Sequence, residues 1–272
     1  MPTADGDVWF KENAPASAFE PALTVAVARR RSEHAPEVLA IEGPRILTRD
    51  VGPQLREVRN AGASDPAWND VLRLHGQLQV ELMSDVEEAL AAGILDLRLE
   101  RLPELYDELI ERLGLGEFAA AGVSVRRACD ALSGTLPATI AHLEATEGNI
   151  FVRDDGPVFI DWAEACVAHP FVASVLPLRD ASERGGFVPG SPDVERLRDA
   201  YLEPFVGYTS LAKLREVFPH GYLLGTVCKA LSWDATLAPL PHSVREELGD
   251  PIHGWLEILH ELENGTTTLG GA

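Results

Sequence analysis

The chain has 272 residues and a formal net charge of −20 at pH 7, with 23 basic against 43 acidic side chains. This charge argues against nucleic acid or an anionic membrane as a partner and would suit a cationic substrate, although acidity can also simply serve solubility. Because the sequence has no apolar run of roughly 18–20 residues, no signal-peptide pattern and only three scattered cysteines, we expect a cytoplasmic protein.

The first predicted element is a short strand over residues 8–11, followed after a loop by a helix over residues 17–31. Ser17 and Glu20 have the spacing of a capping box, in which the acid bonds back to the start of the helix. An ion pair with Lys11, at the end of the preceding strand, is the alternative for Glu20. The residues themselves leave both interpretations open.

A hairpin is predicted next, because short apolar runs at residues 38–41 and 46–49 flank a Gly-Pro turn. After a Ser-Asp-Pro helix-start signal at residues 64–66, the pattern becomes mainly helical. Apolar residues then recur at helical spacing in segments 68–82, 84–92, 102–113, 123–132, 169–178, 193–205, 211–218, 222–237 and 251–264.

The most informative stretch is a second predicted hairpin, in which two apolar runs flank a turn over residues 153–157. With the turn centred on Asp155, Asn149 faces Asp161 across the open end, since both lie six positions from the centre. Side chains in such opposite positions have Cβ atoms roughly 4.5–5.5 Å apart. Glu144 lies five residues before Asn149. Carboxylate and carboxamide oxygens that converge in this way suit a hard cation such as Mg²⁺.

This order of residues resembles the catalytic and metal loops of the aminoglycoside phosphotransferase/choline kinase-like family, which has a protein kinase-like fold. The resemblance implies that His142 is the loop histidine and one of the catalytic residues, and that Asn149 and Asp161 are the metal ligands. It also implies that Glu144 is the catalytic residue that accepts the proton of the substrate hydroxyl or orients that hydroxyl, at a position where the family has Asp. Thr146 stands where many members have a second histidine.

The same resemblance implies nucleotide-binding roles in the N-terminal segment. Lys11 would contact the α- and β-phosphates of ATP, and Glu20 would hold it by an ion pair. Thr48 and Asp50 would belong to the hinge that grips adenine through backbone groups, an assignment that rests on chain order. Glu164 matches a second acid that many members place three residues after the metal aspartate, and a solvated loop acid is its alternative.

The implied fold is α+β, a protein kinase-like two-lobed fold with a truncated N-terminal β lobe over residues 1–52 and a mainly helical C-terminal lobe over residues 53–272. Only seven residues precede the first predicted strand, and they hold no Gly-rich phosphate-binding loop. We therefore expect that strand to have an unpaired edge, through which two copies could form a homodimer.

The resemblance implies an ATP- and Mg²⁺-dependent phosphotransferase that acts on a hydroxyl of a small molecule, for which a cationic compound is one option. The acceptor pocket would lie near Glu164 and Trp233. Glu144 and the missing glycine-rich loop leave two alternatives, namely a pseudokinase that binds nucleotide or ligand with little turnover and a truncated product that keeps only the fold. The sequence has no HExxH, CxxC, GxSxG, P-loop or dinucleotide-binding motif, which argues against those enzyme classes.

Overall fold

The computed structural model describes residues 2–3, 6–61 and 67–270. The helix-start signal expected at residues 64–66 lies outside these ranges. The strands are Pro2–Thr3 (β1), Gly6–Glu12 (β2), Val38–Glu42 (β3), Arg45–Arg49 (β4), Leu95–Asp96 (β5), Thr139–Ala141 (β6), Ile150–Arg153 (β7), Gly156–Phe159 (β8) and Cys166–Ala168 (β9).

The helices are Glu20–Arg30 (α1), Leu55–Asn60 (α2), Trp68–Leu82 (α3), Val86–Ala91 (α4), Leu102–Leu113 (α5), Gly122–Leu132 (α6), Val175–Gly185 (α7), Pro192–Leu202 (α8), Leu211–Leu237 (α9), His242–Leu248 (α10) and Pro251–Asn264 (α11). Among the described residues, none of these helices has both the length and the apolar character that a membrane crossing needs.

The N-terminal part of the chain forms an antiparallel sheet in the order β1-β2-β4-β3, which confirms the first strand and the first hairpin. β1 pairs only with Gly6 and Asp7, so among the described strands residues 8–12 of β2 pair on one side alone, with β4, and the expected open edge of the predicted strand stands. Helix α1 starts at Glu20 rather than Ser17, after a separate 3₁₀ turn over Pro15–Ser17. This later start places Glu20 in the first turn of α1, directly behind the sheet.

The remaining helices surround one large buried core, and α9 runs through it for 27 residues. The prediction of two helices separated near residues 219–221 is wrong, because α9 continues through Pro219. Close packing on the 3₁₀ turn Pro170–Ser174 supports the continuity, since Gly221, at the predicted break, lies so near Phe171 that an added Cβ would clash with it. Tertiary packing here outweighs the local preference of Pro and Gly to end a helix.

Candidate active site

A cleft of about 400 Å³ opens between the N-terminal sheet and the β7–β8 hairpin. The sheet register explains one wall, because Trp9 pairs with Thr48 and Lys11 pairs with Ile46, and directly paired residues point to the same face. Five of the residues selected from the sequence line this cleft, namely Lys11, Glu20, Thr48, Asn149 and Asp161.

Lys11 connects the two walls of the cleft through a pair of short ionic contacts. Its Nζ lies 2.6 Å from Glu20 Oε2 and 2.7 Å from Asp161 Oδ1. Burial alone would lower the pKa of Lys11, but the charges of Asp161 and Glu20 outweigh it and leave that pKa above its ordinary value. The predicted Lys11–Glu20 ion pair is therefore confirmed.

Glu20 is buried, and its second carboxylate oxygen contacts the C-terminal lobe. Its Oε1 accepts a hydrogen bond from the Trp162 backbone N–H at 3.1 Å, and α1 has no side-chain cap. The capping-box interpretation of Ser17 and Glu20 is therefore wrong. Burial raises the pKa of Glu20, and the Lys11 ammonium partly offsets that rise. Glu20 thus fixes both Lys11 and the start of the turn that follows Asp161.

The β7–β8 hairpin has a tighter turn than the sequence suggested. Arg153 pairs with Gly156, which leaves only Asp154 and Asp155 in the loop. Gly156 has φ +128°, a conformation open mainly to glycine, and it permits this short connection. The turn centre therefore shifts by half a residue from the predicted position.

As a result, the predicted pairing of Asn149 with Asp161 is wrong by one residue. The Ile160 backbone N–H donates to the Asn149 carbonyl at 3.0 Å, so Asn149 faces Ile160 instead. Asp161 follows with φ +60°, the one positive φ of a non-glycine residue in the described chain. A left-handed conformation costs such a residue about 1–2 kcal/mol. It also redirects the chain, so that Asp161 still lines the cleft together with Asn149.

The oxygens of Asn149 and Asp161 fit a hard cation. Asn149 Nδ2 donates to the Glu144 carbonyl at 3.0 Å, which leaves its amide oxygen as the group open to a ligand. Lys11 contacts only Oδ1 of the Asp161 carboxylate. Within the described residues, no group of three or more His, Cys, Asp or Glu side chains could hold a metal by itself. An ion bound here would therefore take its other ligands from phosphate and water, as Mg²⁺ commonly does.

His142 is 1% exposed and does not line the cleft. Its Nε2 lies 2.9 Å from the Ile160 carbonyl oxygen, and its Nδ1 accepts a hydrogen bond from the Glu144 backbone N–H at 3.2 Å. These contacts fit a neutral ring that donates from Nε2, and burial lowers its pKa. His142 thus ties the Glu144 loop to the hairpin, and its burial does not fit direct contact with a substrate.

Glu144 and Glu164 share a cation that the sequence analysis missed. Lys229 Nζ forms an ion pair with Glu144 and lies 2.6 Å from Glu164 Oε2. Ser232 Oγ donates to the same Glu164 oxygen at 3.1 Å. Burial raises the pKa of Glu164, and the Lys229 charge counteracts that rise. Glu164 is therefore a half-buried ion-pair partner rather than a solvated loop acid.

The predicted hinge residues separate into two positions. Thr48 lines the cleft, whereas Asp50 Oδ1 accepts a hydrogen bond from Trp9 Nε1 at 3.1 Å and from the Gly52 backbone N–H at 3.2 Å. Trp9 is 60% exposed and belongs to the cleft wall, as does Phe10. Asp50 thus fixes the edge of an exposed aromatic ring at the cleft mouth.

Three solved structures resemble this chain, each at low sequence identity. Plasmodium vivax ethanolamine kinase has 11% identity and a TM-score of 0.63, over 94% of this chain and 76% of that one. A choline/ethanolamine kinase family protein from Mesorhizobium loti has 16% identity and a TM-score of 0.56, over 94% of this chain and 82% of that one. APH(2″)-IIa in a ternary complex with streptomycin and ATP has 11% identity and a TM-score of 0.50, over 91% of this chain and 82% of that one. The fold is accordingly protein kinase-like.

The sequence match narrows this class to a family. The model of the APH phosphotransferase enzyme family matches residues 12–216, which is most of the chain. This protein therefore belongs to the APH phosphotransferase family, and the resemblance drawn from the residues around His142 and Asp161 is confirmed. No curated protein sequence matched the chain significantly.

Proposed function

We propose that this protein is an ATP- and Mg²⁺-dependent phosphotransferase that acts on a hydroxyl group of a small molecule. Membership of the phosphotransferase family supports the reaction class. The observation that carries the proposal is the bridge from Lys11 to Glu20 and Asp161, in a cleft that Asn149 also lines. The ATP in the APH(2″)-IIa complex supports ATP as the phosphoryl donor.

The nucleotide would lie along the N-terminal wall of the cleft. Lys11 and Trp9 project from the same face of β2, two residues and about 7 Å apart along the strand. The ammonium would meet the α- and β-phosphates, and the exposed indole would stack on the adenine, a contact worth about 1–3 kcal/mol in nucleic-acid complexes. Backbone carbonyl groups after Thr48 would meet the edge of the base, since the Arg49 and Asp50 backbone N–H groups already donate to the Glu37 and Asp7 carbonyls at 2.9 and 3.0 Å.

Asn149 and Asp161 would hold the Mg²⁺ through their side-chain oxygens. The bound ion would supply positive charge beside the phosphate oxygens. Both residues come from segments that other contacts fix, since Asn149 bonds to the Glu144 carbonyl and Asp161 bonds to Lys11. The chain's contribution is therefore a fixed pair of oxygen donors next to the phosphate-binding lysine.

In the transfer step, the acceptor oxygen forms a bond to the γ-phosphorus while the bond from that phosphorus to the β,γ-bridging oxygen breaks. The electron pair of the broken bond leaves with ADP. The acceptor hydroxyl gives up its proton to the Glu144 carboxylate, which passes it to water. Because phosphoryl transfer depends mainly on positioning and charge stabilisation, the place of Glu144 matters more than its basicity.

The acceptor would approach Glu144 from the side of Glu164 and Trp233. The related structures bear the names of ethanolamine and choline/ethanolamine kinases and of a streptomycin complex, so a small hydroxylated molecule is the class we propose. The cytoplasmic location, the lobe boundary at residue 52 and the homodimer through β2 stay predictions. Size-exclusion chromatography with light scattering would test the homodimer.

The test is Mg²⁺-ATP binding by calorimetry, followed by ADP release across a panel of amino alcohols, sugars and aminoglycosides. We expect micromolar binding and turnover with at least one acceptor. Lys11→Met should bind Mg²⁺-ATP roughly 10–100-fold more weakly and lose turnover, whereas Lys213→Met, at an exposed lysine on α9, should keep both. Tight ATP binding without turnover across the panel would favour the pseudokinase alternative, and no ATP binding would refute the proposal.

A further inference from the structure

We infer that Lys229 is a positioning residue, whose buried ammonium holds the Glu144 carboxylate in place by bridging it to Glu164. The inference rests on the proposed function, in which Glu144 meets the acceptor hydroxyl. It assigns a role to a lysine that lies outside the motifs of the catalytic and metal loops.

The position of Lys229 follows from the packing of α9. Gly221, Gly225 and Lys229 recur at intervals of four residues, so they lie along one side of the helix. The two glycines let α9 approach the turn Pro170–Ser174 closely. Lys229 is consequently 1% exposed, and its ammonium reaches loops that lie 65 and 85 residues away in the chain.

The surroundings of the Lys229 ammonium suit a fixed internal cation. Two carboxylates, from Glu144 and Glu164, accept its hydrogen bonds. Its Nζ also lies 6.0 Å from the ring centroid of Trp233 and 5.6 Å from that of Trp255, within the range of cation–π attraction. We call these four side chains the lysine cage. A cation held on several sides constrains the carboxylates that surround it.

Such a constraint bears directly on the use of glutamate at position 144. A glutamate side chain has one more rotatable bond than an aspartate, and an acceptor misplaced by about 1 Å can cost roughly 100-fold in rate. The ion pair with Lys229 removes that freedom, because one carboxylate oxygen is committed to the ammonium. Glu144→Asp should therefore lower turnover, since the shorter side chain withdraws from Lys229.

The experiment replaces the lysine side chain and supplies its missing part from solution. Lys229→Ala lacks the three outer carbons and the ammonium, which n-propylammonium reproduces. The readouts are kcat, the KM for ATP, and the melting temperature, each with and without about 50 mM n-propylammonium. ATP turnover is measured with the best acceptor of the panel and with water as acceptor. 1-Propanol is the uncharged control, and Lys213→Ala is the matched lysine control.

We expect Lys229→Ala to lose about 100-fold in kcat, with the KM for ATP changed by less than about threefold, because Lys229 does not line the nucleotide cleft. n-Propylammonium should raise the kcat of Lys229→Ala by at least about tenfold and should raise the melting temperature of this variant. 1-Propanol should do neither. Lys213→Ala should behave as wild type. Lys229→Arg, which keeps a cation, should retain more activity than Lys229→Met. The comparison of these two variants replaces the rescue experiment if the alanine variant does not fold.

Wild-type kcat in Lys229→Met, or equal activities in Lys229→Met and Lys229→Arg, would overturn the inference. So would a folded alanine variant that n-propylammonium neither stabilises nor reactivates. If the wild type turns over no acceptor, water included, the proposed function fails. The melting temperature of Lys229→Ala then decides about the cage, and no rise with n-propylammonium would refute the internal-cation site as well.

Discussion

Lys11 and Lys229 each bridge two carboxylates, yet they lie in opposite surroundings. The Lys11 side chain is 39% exposed beside the cleft, whereas that of Lys229 is 2% exposed and has two indole rings around it. Removing one partner from an exposed ion pair costs little free energy, whereas removing one from a buried pair leaves a desolvated charge behind. The comparison teaches that the same arrangement, a lysine between two carboxylates, suits ligand exchange at Lys11 and a fixed geometry at Lys229.

The strongest way to break this comparison is to remove the buried cation. Loss of one partner from a buried ion pair costs about 3–5 kcal/mol, and we expect the lower end for Lys229→Met because the Glu144 side chain is 27% exposed. The free energy of unfolding, measured by denaturant titration, should fall accordingly. Lys213→Met should change it by less than about 0.5 kcal/mol. Similar small changes in both variants would contradict the contrast.

The matching change at the cleft lysine, Lys11, should weaken ligand binding and cost less stability than the loss of Lys229. Lys11→Met removes charged hydrogen bonds to phosphate worth about 1.5–3 kcal/mol each, so the affinity for Mg²⁺-ATP should fall roughly 10–100-fold by calorimetry. Its stability should fall by about 1–2 kcal/mol, because the buried Glu20 carboxylate loses its cation while the Asp161 carboxylate stays partly solvated. An unchanged ATP affinity would remove Lys11 from the nucleotide site.

A third variant tests the buried site without touching its charges. Gly225→Ala would place a methyl group 2.5 Å from the Val172 carbonyl oxygen and push α9 away from its packing partner. We expect a loss of about 1–3 kcal/mol in stability, as for other overpacked cores. Gly254→Ala is the matched control, because an added Cβ in α11 meets nothing within 4 Å. That control should be neutral or stabilising, by up to about 1 kcal/mol.

The smallest effect is expected at the mouth of the cleft. Trp9→Ala should weaken ATP binding by about 1 kcal/mol, or roughly fivefold, at the lower end of aromatic stacking because the ring is 60% exposed. Trp9→Phe should keep most of the affinity. Quenching of tryptophan fluorescence on ATP addition, lost in both variants, would report the contact. Unchanged quenching in Trp9→Phe would argue against stacking on Trp9.

The exposed site could be predicted because its residues belong to short, ordered motifs. Lys11 and Glu20 lie nine residues apart, and Asn149 and Asp161 flank one hairpin. The exact register could not be predicted, because a two-residue turn and a longer turn suit the same Asp-Asp-Gly-Pro sequence. Asp161, with its left-handed backbone, nevertheless lines the same cleft as Asn149.

The buried site escaped prediction for a physical reason. Lys229 occupies a core-facing position of an apolar helix, and its partners lie on two distant loops, so no local spacing connects them. One signal was available, since the chain has only three lysines and Lys229 lies between Cys228 and Ala230 in an apolar run. A lone lysine in such a run requires a buried partner, because an isolated charge is too costly to desolvate.

The four-residue spacing of Gly221, Gly225 and Lys229 has a consequence for how α9 can change over evolution. Each residue turns an α-helix by about 100°, so inserting or deleting one residue between Gly225 and Lys229 would rotate the ammonium away from both glutamates while leaving the glycine contact in place. Point substitutions can accumulate along this helix. The number of residues between the glycines and the lysine must stay constant, because the glycines and the ammonium have to lie on the same side of α9.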